Sequence, residues 1–97
     1  EYRVRPDDVP AFLNALQPLR LARLRGGAVR WDVFEDAADA DRFVETFLVE
    51  SWVEHLRQHE RVTEADKKVQ EYVNSFHQGD APPVVAHLVS ARRGVPR

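Results

Sequence analysis

One stretch of the sequence, residues 43–60, changes its hydrophobic period once and constrains the fold more than any other. Its first part, residues 43–49, is an almost unbroken run of aromatic and β-branched residues, which is typical of a strand covered on both faces. Ser51 then opens an S-x-x-E sequence that predicts a helix N-terminus. Helical spacing predicts one stripe on that helix, formed by Trp52, His55, Leu56 and His59. The pattern therefore predicts a strand that is covered on both faces and is followed directly by an amphipathic helix.

Composition places the chain among ordinary globular domains. Its 97 residues suit one domain with one core, and they are 43% hydrophobic and 31% charged. The formal net charge of -2 gives no basic field for nucleic acid, and the absence of cysteine excludes disulfides and thiolate chemistry. No apolar run reaches the length of a membrane span. Because the chain starts at Glu1 without an initiator Met, we expect it to be a piece of a longer protein.

The remaining segments complete an alternation of strands and helices. Strands are predicted at residues 2–5, 29–35, 43–49 and 84–89, with helices after Asp7, Ser51 and Thr63, the last at a second capping box. Pro18 should kink or end the first helix. The order β-α-β-β-α-β predicts an α+β, ferredoxin-like domain over residues 1–91, with a four-stranded antiparallel sheet and helices on one face. Residues 92–97 are expected to form a flexible tail.

The second and third strands are apolar on both faces, although helices cover only one. In a regular hairpin Trp31 lies near Phe47, and Phe34 lies near Val44, with Leu48 further along. In a monomer, the apolar side chains on one of the two sheet faces would remain in contact with water as a large patch. We therefore predict a homodimer, with candidate interface residues Phe34, Val44, Phe47 and Leu48.

Aromatic, acidic and histidine side chains are the candidates for lining a cavity that takes a small hydrophobic ligand. They are Trp31, Glu45, Trp52, His55, His59 and His87. The i, i+4 spacing of His55 and His59 also suits zinc, but the glutamate of H-E-x-x-H is missing and no cysteine is present, so we expect no metal site and no cofactor.

Alternatives stay open at several of these positions. His87 suits either an acid or base beside a cavity or a structural histidine among apolar neighbours. Glu45 suits either a ligand-binding role or a strand-edge ion pair that reaches solvent. The arginines at 20, 23, 25 and 30 are interpreted as a solvated helix face rather than an RNA surface.

The run from Phe43 to Thr63 resembles a known family motif, F-V-E-T-F-x-V-E-S-W-x-E-H-L-R-Q-H-E-R-x-T, and the segment with His87-Leu88 matches as well. This motif is similar to that of the C-terminal extension of bacterial major facilitator superfamily exporters of the enterobactin-exporter group. The architecture also resembles antibiotic-biosynthesis-monooxygenase-like domains, which are dimeric α/β barrels.

The resemblance implies a domain that follows a membrane transporter, lies on the cytoplasmic side of the membrane and serves dimerisation, ligand sensing or regulation. It carries over no catalytic residue, and we expect a non-catalytic domain. The alternative that it implies is a small cofactor-independent monooxygenase or haem-binding enzyme that acts on an aromatic, polyketide-like substrate.

Overall fold

The computed structural model describes residues 1–89, and within the second long helix the side chains of Glu54, Gln58, His59 and Arg61 lie outside the description. The expected tail at residues 92–97 therefore lies outside the described residues. A short 3-10 turn at Pro6–Asp8 precedes the first α-helix. In chain order the elements are β1 Tyr2–Arg3, α1 Val9–Arg25, β2 Arg30–Glu35, β3 Arg42–Leu48, α2 Trp52–Arg61 and α3 Glu64–Asn74. No helix among the described residues is long and apolar enough to cross a membrane.

The strands form a three-stranded antiparallel sheet in the order β1-β3-β2. Trp31 pairs with Phe47 and Phe34 pairs with Val44, which confirms the predicted hairpin register. Asp36 shapes the connection, since its carboxylate accepts from the backbone N–H groups of Ala38 (2.8 Å) and Asp39 (3.2 Å). The α+β class is therefore confirmed, with an open sheet.

The core lies between one face of this sheet and helices α1 and α3. Helix α1 supplies its buried stripe at i, i+4 and i+7, with Phe12, Leu16 and Leu19 at most 1% exposed. The sheet contributes Tyr2 and Phe43, whose rings each lie 5.4 Å from the Phe12 ring. Burial of large side chains on both layers, at about 1.5–3 kcal/mol each, holds the layers together.

The first helix continues through Pro18 as far as Arg25, so of the two expected effects of Pro18, a kink or an end, the end does not occur. A proline inside a helix removes one backbone hydrogen bond and costs about 3 kcal/mol. Leu16 and Leu19 flank it and are fully buried, and their packing offsets that cost. The helix ends instead before Gly26 and Gly27, and Gly27 adopts a positive φ of 109°, which glycine takes without steric cost.

The fourth strand predicted at residues 84–89 is absent from the described sheet. The outer edge of β1 is already occupied, because Arg3 N donates to His77 Nδ1 (2.9 Å) and Gln78 N donates to the Arg3 carbonyl (2.8 Å). Residues 82–89 instead follow an irregular path, tied down where the Glu1 nitrogen donates to the Val84 carbonyl (2.8 Å). Leu88 is 92% exposed there.

The face of the sheet away from the helices carries Phe34, Val44 and Leu48, as strand alternation requires. Phe34 is 55% and Leu48 is 58% exposed. Phe47 points to the opposite face, where the Arg23 guanidinium lies 4.7 Å from its ring centroid. The candidate interface residues therefore divide between the two faces, and the homodimer remains a prediction.

A candidate ligand cavity between the helices and the sheet

A cavity of about 590 Å³ opens where the C-terminal half of α1 meets β3, α3, residue His55 of α2 and the segment after α3. Its size suits a small organic ligand, because pockets for such ligands occupy roughly 300–1,000 Å³. Its apolar wall is formed by Leu19, Ala22, Phe47, Val62 and Val85. Its polar lining includes Arg23, Arg25, His55, Asp66, Lys67, Gln70, Glu71 and His87.

Behind the wall lies a buried carboxylate, that of Glu45, whose side chain is only 5% exposed. It accepts hydrogen bonds from Trp31 Nε1 (2.7 Å), from Arg23 Nε (3.1 Å) and Nη2 (3.3 Å), and a long one from the Tyr2 hydroxyl (3.4 Å). A buried charge is tolerated only where it is paired and hydrogen-bonded, and Glu45 satisfies both conditions. The ion pair considered for Glu45 is therefore present with Arg23, but its carboxylate is buried and does not reach solvent.

Arg23 and Gln70 connect this carboxylate to the cavity. Arg23 Nη2 donates to Gln70 Oε1 (2.6 Å), and Gln70 Nε2 donates to the Tyr2 hydroxyl (3.1 Å). Burial raises the pKa of Tyr2, and the negative charge of Glu45 raises it further. The resulting hydrogen-bond network joins β1, β2 and β3 to α1 and α3. A ligand that contacts Arg23 therefore contacts a residue that this network connects to all three strands.

At the cavity's edge, Trp52, His55 and His87 form a ring cluster. Trp52 lies 5.1 Å from His55 and 5.6 Å from His87, and the two imidazoles are 4.8 Å apart, all between ring centroids. Aromatic contacts at these separations are each worth about 0.5–1.5 kcal/mol beyond area burial. The cluster attaches the segment after α3 to α2 and places a flat, weakly polar rim beside the opening.

A second acidic group on the cavity wall belongs to the start of α3. The capping box predicted at Thr63 is confirmed, since Asp66 N donates to Thr63 Oγ1 (3.0 Å) and Thr63 N donates to Asp66 Oδ2 (3.4 Å). Arg25 Nη2 also donates to Asp66 (2.9 Å). Partial burial raises the pKa of Asp66, but the hydrogen bonds from Thr63 and Arg25 outweigh it and leave that pKa below its ordinary value.

The structure separates the predicted cavity residues into groups. His55 and His87 line the cavity, and Trp52 stacks against both. Trp31 and Glu45 lie behind the wall and reach it through Arg23. The side chain of His59 lies outside the description. Within the described residues no group of three or more His, Cys, Asp or Glu side chains could hold a metal ion.

The arginine pattern predicts a solvated basic face that includes Arg23, whereas the structure places Arg23 on the cavity wall in an ion pair with Glu45. The signal was present in the helical spacing, because Arg23 falls four residues after Leu19 and seven after Leu16, on the buried stripe of α1. A charged residue on such a stripe needs a buried partner, and Glu45 was the acidic residue in a buried strand. Gln70 carries no comparable signal.

Comparison with protein families matches residues 1–95 to the MFS_3 family, which is described as transmembrane secretion effectors. No curated protein and no solved structure matches the chain. The family match supports the relation to major facilitator superfamily exporters. None of the comparisons supports the resemblance to antibiotic-biosynthesis monooxygenases. Since the match extends over nearly the whole sequence, this chain belongs to the MFS_3 family of transmembrane secretion effectors.

Proposed function

We propose that this chain is a non-catalytic, ligand-sensing regulatory domain of a major facilitator superfamily exporter, on the cytoplasmic side of the membrane, and that it acts as a homodimer. The observation that carries the proposal is the cavity of about 590 Å³ with an apolar wall and a few convergent polar groups. The family match supports the assignment to an exporter.

The geometry favours sensing because one cavity-lining residue, Arg23, is hydrogen-bonded to both the sheet and α3. Arg23 on its wall is bonded to Glu45 in the central strand and to Gln70 in α3. A ligand that competes for Arg23 therefore changes contacts between the sheet and both packed helices. The dimeric α/β barrel implied by the monooxygenase-like resemblance belongs to this proposal, with the open sheet face as the interface.

Filling the cavity tests the proposal. Ala22 is half-buried on the wall, so Ala22→Phe places a ring where the ligand would lie. A fluorimetric screen first identifies drug-sized apolar compounds that raise the Tm of the unchanged chain. We expect these compounds to bind the Ala22→Phe variant at least about tenfold more weakly than the unchanged chain, as for a contact worth about 1.4 kcal/mol. In the full-length exporter the same substitution should change how efflux depends on compound concentration.

The matched control is Ala37→Phe, which adds the same ring to the exposed hairpin connection. It should leave compound binding and efflux unchanged. Equal binding to the Ala22→Phe and Ala37→Phe variants would show that the compounds bind elsewhere, and the cavity would then lose its assigned role.

A further inference from the structure

The cavity wall carries a hydrogen-bond donor that the protein's own contacts leave unused. In the Arg23 guanidinium, Nε and Nη2 donate to Glu45 and Gln70, whereas Nη1 has no hydrogen-bond partner among the side chains and backbone groups that the structure describes. The side chain remains 26% exposed where it borders the cavity. A half-buried N–H group without a protein acceptor is satisfied by water or by a ligand oxygen.

The surroundings of Nη1 are flat and apolar. The guanidinium carbon lies 4.7 Å from the centroid of the Phe47 ring, and Leu19 and Ala22 line the same wall. The rings of His55 and His87 border the opening. Aromatic and guanidinium planes pack best against other planar groups, so this lining favours an aromatic ligand over a branched aliphatic one.

Charge pairing indicates that the ligand is neutral. The Arg23 charge is balanced by Glu45 (3.1 Å), and Arg25 is balanced by Asp66 (2.9 Å). Lys67 contacts Glu64 (3.3 Å), and the remaining acid on the wall, Glu71, repels an anion. Arg23 is the least exposed of the three cations, at 26% against 64% for Arg25 and 57% for Lys67, so its donor is the one least satisfied by water. Because the charges of all three are paired, this donor matches a carbonyl oxygen better than a carboxylate.

We infer that Arg23 Nη1 recognises the carbonyl oxygen of a neutral, planar aromatic ligand in this cavity. The inference rests on the proposed ligand-sensing function and specifies its ligand class. Arg23 selects among apolar compounds by this one hydrogen bond, while Glu45 and Gln70 hold the guanidinium in place and leave Nη1 available to the cavity.

Three probes of one shape isolate this contact. The ketone 2-acetylnaphthalene carries the carbonyl, 2-ethylnaphthalene lacks it, and 2-naphthoate replaces it with an anion. In equilibrium dialysis against this chain we expect the ketone to bind at least about tenfold more tightly than the hydrocarbon, as for a hydrogen bond to a charged donor. Naphthoate should bind no more tightly than the ketone. Equal binding of ketone and hydrocarbon, or tenfold tighter binding of naphthoate, overturns the inference.

A paired substitution removes the donor without leaving a buried charge. In Arg23→Met with Glu45→Gln, the preference for the ketone should fall to within about threefold. Arg20→Met, on the exposed surface of the same helix, should keep the full preference. A preference that survives in the paired variant contradicts the assignment to Arg23.

A measurement on the unchanged chain tests the same contact without relying on the folding of the Arg23→Met, Glu45→Gln variant. With nitrogen-15 arginine labelling, the Arg23 side-chain resonances should shift on addition of the ketone and stay in place with the hydrocarbon. Unmoved resonances at saturating ketone overturn the inference. If none of the three probes binds, the inference is overturned while the compound screen still tests the proposed function, whereas equal binding of ketone and hydrocarbon removes only the role of Arg23.

Discussion

At the scale of single residues, Glu45 determines how the two layers meet. Its carboxylate is buried between β3 and α1, and its acceptor sites are filled by Trp31, Arg23 and Tyr2. Breaking such an arrangement on one side is costly, because the remaining groups lose their partners while they stay desolvated. Removing both charges together avoids that penalty.

We expect Glu45→Gln to lower the free energy of unfolding by about 1–3 kcal/mol, because Arg23 loses its charged partner. Urea denaturation followed by tryptophan fluorescence measures the loss. Glu35→Gln, on an exposed side chain at the end of β2, should stay within about 0.5 kcal/mol of the unchanged chain. A Glu45→Gln variant as stable as Glu35→Gln would show that the buried carboxylate contributes no net stability.

At the scale of elements, the start of α3 links the capping box to pH. The pKa of Asp66 lies below its ordinary value, so the folded state favours the carboxylate more strongly than the unfolded chain does. Its stabilising contribution is complete above the unfolded pKa of about 3.9 and is lost as the pH falls through the lower, folded pKa. The helix start therefore weakens in acid.

Asp66→Asn isolates this contribution. We expect the difference in unfolding free energy between the unchanged chain and this variant to be about 0.5–1 kcal/mol near neutral pH and to shrink below about pH 4. Urea titrations from pH 7 to pH 3 measure it. Asp80→Asn, at an exposed carboxyl without a described partner, should give no such trend, and the same pH trend in both variants would contradict the assignment.

Elements with strong local signals were predictable, and those decided by neighbouring segments were not. The Trp31–Phe47 register and the Thr63 capping box follow from spacing alone, and both are confirmed. The strand at residues 84–89 has the right composition, but His77 and Gln78 occupy the sheet edge that it would need. Sequence patterns do not show which of two segments, residues 77–78 or residues 84–89, forms hydrogen bonds with the outer edge of β1.

The same limit applies to individual side chains at the site. Helical spacing puts Tyr72 beside the core-facing Val69, Val73 and Phe76 of α3, yet Tyr72 is 58% exposed while Val73 is fully buried. The cavity rim was partly foreseen, through Trp52, His55 and His87. Arg23 was misassigned because its pairing with Glu45 depends on two distant elements meeting.

At the scale of the whole molecule, the open sheet face presents Phe34 and Leu48 to solvent, with the half-buried Val44 on the same face. We expect a second copy to cover this face, so that light scattering at micromolar concentration gives twice the mass of one chain. Phe34→Glu should shift the mass towards the monomer, because it buries an unpaired charge in the interface.

Tyr72→Glu is the matched control, since Tyr72 is as exposed as Phe34 but lies on α3, away from that face. It should leave the mass unchanged. A monomer in the unchanged chain, or equal masses for the two glutamate variants, would contradict the dimer.

The alternation of β3 places Glu45 and Phe47 towards the cavity and Val44 and Leu48 towards the open face, so one strand separates the two surfaces. If the proposed ligand binding and dimerisation both take place, any coupling between them across β3 is thermodynamically reciprocal. Any compound that favours the paired chains over single ones must be bound more tightly by the pair, by the same factor. Ligand affinity measured at one protein concentration would then differ from that at another, so the response of the domain to its ligand would depend on the abundance of the protein itself.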